Sequence, residues 1–112
     1  NNPQLSRQTQ GTASGAITSG KPVLVNTNGT VSQVSGSVTL TTENFIGFAE
    51  DTVATGQPVT VNTKGAIDEN QSSLTPAQQY FVQTDGTLGT SADDPSVVAG
   101  TAVTATKLIV KG

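Results

Sequence analysis

Cysteine, histidine, methionine and tryptophan are all missing from these 112 residues. Without cysteine there are no disulfides and no thiolate nucleophile. Without histidine the commonest general base is gone, and with it the Cys/His zinc sites. Charge is scarce as well: 5 Lys and Arg against 8 Asp and Glu give a formal net charge of -3 and a charged fraction of 12%. Five cations spread along the chain make no basic stripe, so nucleic acid is not an expected partner. No apolar run approaches the roughly 20 residues that cross a bilayer, which argues against membrane insertion by a helix. The phosphate-cradling patterns GxGxxG and GxxxxGK are absent too, and no cofactor is expected.

What remains is a chain of hydroxyls, amides and small residues, with 19 Thr, 10 Ser and 12 Gly beside a hydrophobic fraction of 33%. The length suits one modest core. Residues 1 to 15, NNPQLSRQTQGTASG, hold one large aliphatic side chain, Leu5. They are expected to be a flexible arm or linker, because so little apolar area does not offset the entropy of ordering them. A start at Asn1 rather than Met suggests a processed protein or a fragment. Residues 16 to 112 are expected to form a single β domain.

Turn residues punctuate that domain at Thr18 to Lys21, Asn28-Gly29, Ser35 to Ser37, Thr55 to Gln57, Lys64-Gly65, Asp85-Gly86 and Asp93 to Pro95. Between them lie candidate strands at Pro22 to Thr27, Thr30 to Val34, Ser37 to Thr42, Asn44 to Ala49, Pro58 to Thr63, Tyr80 to Thr84, Val97 to Ala102 and Lys107 to Lys111. Short Val-, Ile-, Phe- and Thr-rich segments at this spacing predict an all-β fold. Val23 and Val25 alternate with Leu24 and Asn26, and Val59 and Val61 alternate with Thr60 and Asn62, as in a half-buried sheet. Leu108-Ile109-Val110 is apolar throughout, which fits a core strand or one whose second face meets another subunit. Thr75 as a cap and Pro76 after it allow a single helical turn before Tyr80, with an irregular SSLTPAQQ loop as the alternative.

SGKPVLVNTNGTV at residues 19 to 31 aligns without a gap to TGQPVTVNTKGAI at residues 55 to 67, with seven of thirteen positions identical. We read this as an internal repeat of turn, strand and turn. VQTDGTL at residues 82 to 88 echoes VNTNGTV at 25 to 31, and VAGTA at 98 to 102 echoes FIGFA at 45 to 49. Three hairpins of related construction are expected. The architecture predicted is a small antiparallel β-sandwich or partly closed barrel with duplicated hairpin units.

The residues give little chemistry. Glu50-Asp51, Asp68-Glu69 and Asp93-Asp94 are adjacent acids. Neighbouring strand residues face opposite ways and loop pairs face water, so these read as solvated turn residues rather than as a catalytic pair. Asp68, Glu69 and Asn70, with Asp85 and Asp93-Asp94, supply hard oxygen ligands, but no EF-hand register accompanies them and no metal site is expected. Lys64 and Lys107 could activate a hydroxyl only beside a marked serine, and none is marked. Phe45, Phe48, Tyr80 and Phe81 read as core anchors, with one of each pair available to a subunit seam. Asn28 and Asn70 begin glycosylation triplets that read more simply as turns. No catalytic, cofactor-binding or metal-binding residue is assigned, and the chain is not expected to be an enzyme.

Five elements occur in order across residues 40 to 112: Phe45 to Ala49 as FIGxA, Gly56 to Val61 as GxxVxV with Gly65, Leu74 to Val82 as LTPxxxYxV, Asp85 to Leu88 as DGTL, and Val97 to Val110 as VxxGxAxxxTxLxV. This series resembles a β-rich C-terminal module of tail-fibre-like and related virion decoration proteins in tailed bacteriophages, particularly marine phages and cyanophages. Ala77 stands where that family's LTPG turn has glycine. The resemblance implies a virion structural protein that assembles homotypically as a trimer beside other virion proteins, with a host-surface receptor as a further partner. A tail-fibre or appendage module is the leading expectation. A capsid decoration protein bridging capsomers is the alternative, followed by a small glycan-binding β module.

Overall fold

The computed structural model describes residues 7–111. Their ten strands are β1 (Gln8–Thr12), β2 (Pro22–Val25), β3 (Val31–Gln33), β4 (Phe45–Ala49), β5 (Pro58–Thr63), β6 (Ile67–Asp68), β7 (Gln79–Val82), β8 (Leu88–Gly89), β9 (Val97–Ala102) and β10 (Leu108–Val110). They form two five-stranded antiparallel sheets, ordered β1-β5-β4-β2-β3 and β6-β10-β9-β7-β8. The fold is therefore all-β, a small sandwich built from duplicated strand sets.

The two orders are the same order. Strands β1 to β5 make one unit, and β6 to β10 repeat it. Pairing positions correspond one to one: Pro22, Val23 and Leu24 face Phe48, Gly47 and Phe45, while Gln79, Tyr80 and Phe81 face Thr101, Gly100 and Val98. Each set has its register shift at the same place, between Val23 and Leu24 and between Tyr80 and Phe81. The cause is a bulge at Gly47 and at Gly100, with φ of 152° and 151°. A side chain at either glycine would collide with backbone, the Asn62 carbonyl or the Ile109 carbonyl. The bulge changes which residues share a face, so Phe45 and Phe48 both reach the core although they lie three apart. Their rings meet edge to face, with centroids 5.7 Å apart.

The units stack in the same sense rather than as mirror partners. One side of the first sheet, carrying Leu24, Phe45 and Phe48, packs against Tyr80, Val82, Ala99, Ala102 and Leu108 of the second. In the second unit the positions of Leu24, Phe45 and Phe48 are held by Phe81, Val98 and Thr101, which lie on its outer side. The opposite side of the first sheet is closed by its own chain. Val23, Val31, Ala49, Val59 and Val61 pack under Ala13 and Ile17. The strap bearing those two residues is fixed by Ser14 N–H to Val31 O (2.9 Å), Ile17 N–H to Val53 O (3.0 Å) and Val53 N–H to Ile17 O (2.9 Å).

Several expectations need correction. Within the arm or linker expected over residues 1 to 15, residues 8–12 form an edge strand, because β5 supplies a full register of backbone partners to an otherwise polar segment; residues 1 to 6 lie outside the described residues. Ser37 to Thr42 is a loop, held by Asn44, whose amide donates to Thr39 O (2.8 Å) and whose Oδ1 accepts from Thr41 N–H (2.8 Å). Lys64-Gly65 is not a hairpin turn. It carries the chain from β5 in the first sheet to β6 in the second, so the repeat of residues 19 to 31 at 55 to 67 is local, shared through β2 and β5 and then lost. Two of the three expected hairpins form, β2-β3 and β7-β8, with three-residue loops ending in Gly29 and Gly86 and with Asn26 N–H to Thr30 O (2.7 Å) matched by Gln83 N–H to Thr87 O (2.8 Å). Before β7 there is no helical turn. Gln78 N–H reaches Thr75 O (3.1 Å) across Pro76 and Ala77, and Ala77 has φ of 71°, the signature of a type II turn with alanine in the glycine position.

Two substitutions should act with opposite sign. Ala77→Gly relieves the left-handed alanine and should raise stability by about 1 kcal/mol, less the entropy glycine adds to the unfolded chain. Gly100→Ala should lower it by about 3 kcal/mol, because strain and a backbone collision coincide. Urea unfolding of both variants beside the parent checks the pair.

Candidate functional site

The three-residue link from β5 to β6 places Asp68 within hydrogen-bond reach of Asn62, on the inward side of the second sheet. Asp68 is completely buried, which corrects the expectation that it is a solvated turn residue; its neighbour Glu69 is exposed. Three amide groups converge on the carboxylate. Asn62 Nδ2 donates to Oδ1 at 3.0 Å and Asn70 Nδ2 to the same oxygen at 3.1 Å, while Gln71 Nε2 donates to Oδ2 at 2.6 Å. Every group presented to Asp68 is an N–H donor, so both oxygens serve as acceptors.

The network extends to the ends of several elements. Glu50, just past β4, accepts from Asn62 Nδ2 (2.8 Å) and Asn70 Nδ2 (3.0 Å). Gln8 on β1 donates to Asn62 Oδ1 (2.8 Å), and Gln71 donates to the Gly20 carbonyl (2.6 Å). Its members thus tie β1, β4, β5 and the turn before β2 to the second sheet. Chemically it is a set of carboxylate acceptors held by amide donors. Among the described residues no three acidic side chains gather into a metal-binding group.

Asp85 and Asp93 serve their own loops. Asp85 Oδ1 accepts from Thr87 Oγ1 (2.7 Å) and Thr87 N–H (3.0 Å), and Asn28 does the same for Thr30 at 2.7 and 3.1 Å in the matching hairpin. The Thr87 hydroxyl, then its backbone N–H, holds the Asp85 carboxyl below its usual range. Asp93 is lowered likewise, first by the Thr84 N–H (2.9 Å), then by the Asp94 N–H and the Thr84 hydroxyl. Asp51 accepts from Thr60 N–H (3.3 Å). The adjacent acids therefore do not converge as pairs. A groove of about 450 Å³ runs between the Ser19 to Pro22 turn, the Asn70 to Leu74 loop and the Gly86 to Leu88 hairpin end, but its one phenol, Tyr80, is engaged as acceptor for Thr75 N–H (2.8 Å).

The remaining feature is the outer side of the second sheet. Ile67 and Ile109 are paired neighbours, 52% and 44% exposed, and Ile109 adjoins Thr101 on β9. Phe81 and Val98 form a second, half-buried pair on the same side. Val103 beyond β9 is 47% exposed. Alternation leaves one of Tyr80 and Phe81 facing outward; Phe81 lies on the outer side, half-buried, and Tyr80 points inward. Asp68 and Asn70 stand out in the sequence only as acids of a turn or as oxygen ligands, and their role in a buried network was missed, although the run Asp68-Glu69-Asn70-Gln71, rich in amides right after an acid, carries the signal.

Removing the Asp68 carboxylate leaves three amides without their acceptor, so Asp68→Ala should cost about 3 kcal/mol or more in urea unfolding. A second outcome concerns pH. Asp85 and Asp93 bind protons more weakly in the folded chain, so the stability they add is present above the ordinary value of 3.8 and is lost as pH falls through their lowered values. Asp85→Asn copies the Asn28 turn without a titrating group, and its melting temperature should fall less steeply than the parent's between about pH 5 and pH 2. Comparison of the chain with protein-family models and with curated proteins finds no match.

Proposed function

We propose that this chain is a non-enzymatic structural module of a bacteriophage virion, in a tail fibre or appendage, which assembles with copies of itself, three in number as the resemblance of residues 40 to 112 implies, and contacts other virion proteins and the host surface. The observation that carries the assembly part is the bare outer side of the second sheet, apolar at Ile67, Phe81, Val98 and Ile109, on a molecule whose other packed faces are closed from within. A stiff module suits such a site. Short loops, buried amides and two like-oriented sheets fix the surface without any disulfide.

Cryo-electron microscopy of purified particles carrying this chain tests the reading. Density for the chain in a tail appendage is the expected result. Density over capsomer junctions would replace it with the decoration role, and particles that lack the chain would overturn a virion role altogether.

A further inference from the structure

We infer that the groove between the turn before β2, the loop after β6 and the β7-β8 hairpin end is a binding site for a short acidic saccharide, one or two uronic-acid rings long. The inference goes beyond the virion reading and does not depend on it.

The groove exists because the two units part ways at one connection. In the first unit the segment between β1 and β2 bonds to β3, Ser14 N–H to Val31 O (2.9 Å), and closes the space beside the hairpin. Leu88 on β8 holds the position of Val31, but the corresponding segment of the second unit bonds elsewhere. Gln71 N–H goes to Thr106 O (3.2 Å) and Leu74 N–H to Ala105 O (3.0 Å), in the loop after β9. The space left beside Leu88 is the groove of about 450 Å³, a size that suits a small ligand.

Its walls are set before any ligand arrives. Gly20 lies against the Asn70 carbonyl and Gly86 against the Val34 carbonyl, so closely that a side chain on either would collide with backbone. Gln71 Nε2 holds the Gly20 carbonyl at 2.6 Å. At the rim Ser73 is kept at φ of 61°, a left-handed conformation that serine adopts at a cost. A cleft with fixed walls loses little entropy on binding.

The lining sets the chemistry of the ligand. On a chain of net charge -3, no acidic side chain among the described residues lines this groove, whereas half-buried Lys21 does. Exposed Ser72, Ser73 and Thr87 add hydroxyls. Thr75 N–H takes an acceptor site of the Tyr80 oxygen at 2.8 Å, which leaves the phenolic proton to donate. Half-buried Leu74 and Leu88, packed on the core, supply an apolar strip. One ammonium, several hydroxyls and an apolar strip match a carboxylate on a ring that carries hydroxyls and a C–H face. A phosphate asks instead for a nest of backbone N–H groups or an arginine fork. Here the N–H groups of Gly20, Lys21, Leu74 and Gly86 are spent on the carbonyls of Ala49, Thr18, Ala105 and Gln83.

Titration of the nitrogen-15-labelled chain with digalacturonate, followed by amide NMR shifts, tests the site. Saturable shifts at Lys21, Ser72, Ser73 and Thr87 with a Kd of about 1 mM or tighter are expected. The neutral methyl ester of the same disaccharide should bind at least about tenfold more weakly, and digalacturonate should bind Lys21→Met more weakly by a similar factor. Ser72→Ala, at an exposed loop position, should weaken binding about threefold and serves if Lys21→Met does not fold. Lys107→Met, outside the groove, should leave binding unchanged; a loss there equal to that of Lys21→Met would mark general charge attraction and overturn the site. The absence of saturable shifts up to about 10 mM, or shifts centred elsewhere, would overturn it as well. Equal binding of the ester would remove the carboxylate from the inference, and equal binding of an acidic dipeptide would remove the saccharide. Particles that lack the chain bear on the virion role alone.

Discussion

A buried carboxylate held by three amide donors decides how the two halves of this molecule meet. Asp68 sits at the crossing from β5 to β6, and its two oxygens are satisfied only when Asn62, Asn70 and Gln71 are all in place. Asn62 belongs to the first sheet, Asp68 to the second, and Gln71 reaches back to the turn before β2. Leaving such a group unpaired away from water is expensive, whereas a fully satisfied one tolerates little displacement. A sliding of one sheet over the other would break these contacts first. Hydrophobic packing brings the sheets together, and the amide cage around Asp68 selects one relative placement among those that packing alone would allow.

That placement makes the sandwich a stack of two like units instead of two faces meeting symmetrically. A symmetric sandwich hides both inner faces and leaves two equivalent outer ones. A like-oriented stack leaves two different outer sides, and each needs its own solution. On the first sheet the solution is internal, a strap at Ala13 to Ile17 over a valine-rich surface. On the second sheet the outer side keeps solvent contact, and the segment that could have crossed it braces the loop after β9.

Much of this was legible in the residues, for reasons that can be stated. The strand positions of β2, β4, β5, β7, β9 and β10 follow from β-branched and aromatic runs bounded by glycine and proline, and two of the hairpins from Asn28-Gly29 and Asp85-Gly86. The short edges were not legible, because β1, β6 and β8 are made by partners rather than by propensity; Gln8 to Thr12 is a strand only because β5 lies beside it. The most conspicuous repeat misled about topology. Its thirteen residues repeat a local recipe for entering a strand, while the larger duplication is carried by the weaker echoes of FIGFA with VAGTA and VNTNGTV with VQTDGTL. Burial of Asp68 could not be read from alternation, which would have sent Ile67 inward instead.

The places where the two units differ show what was exchanged for what. Gly47 and Gly100 are retained because the bulge is a backbone requirement that no side chain meets. Ala49 and Ala102 are retained because both lie where another layer presses closely on the sheet. Phe48 has its counterpart in Thr101, a loss of apolar bulk at a position that no longer lies inside the molecule. Asn62 and Gln8, by contrast, have theirs in Ile109 and Ile67, a gain of apolar surface at positions that are exposed. Simple adaptation to solvent accounts for the first change and runs against the second. A sheet side that becomes more polar at its centre and more apolar along its β10-β6 edge is not an ordinary solvated surface; that edge is where Ile67 and Ile109, side by side, reach solvent.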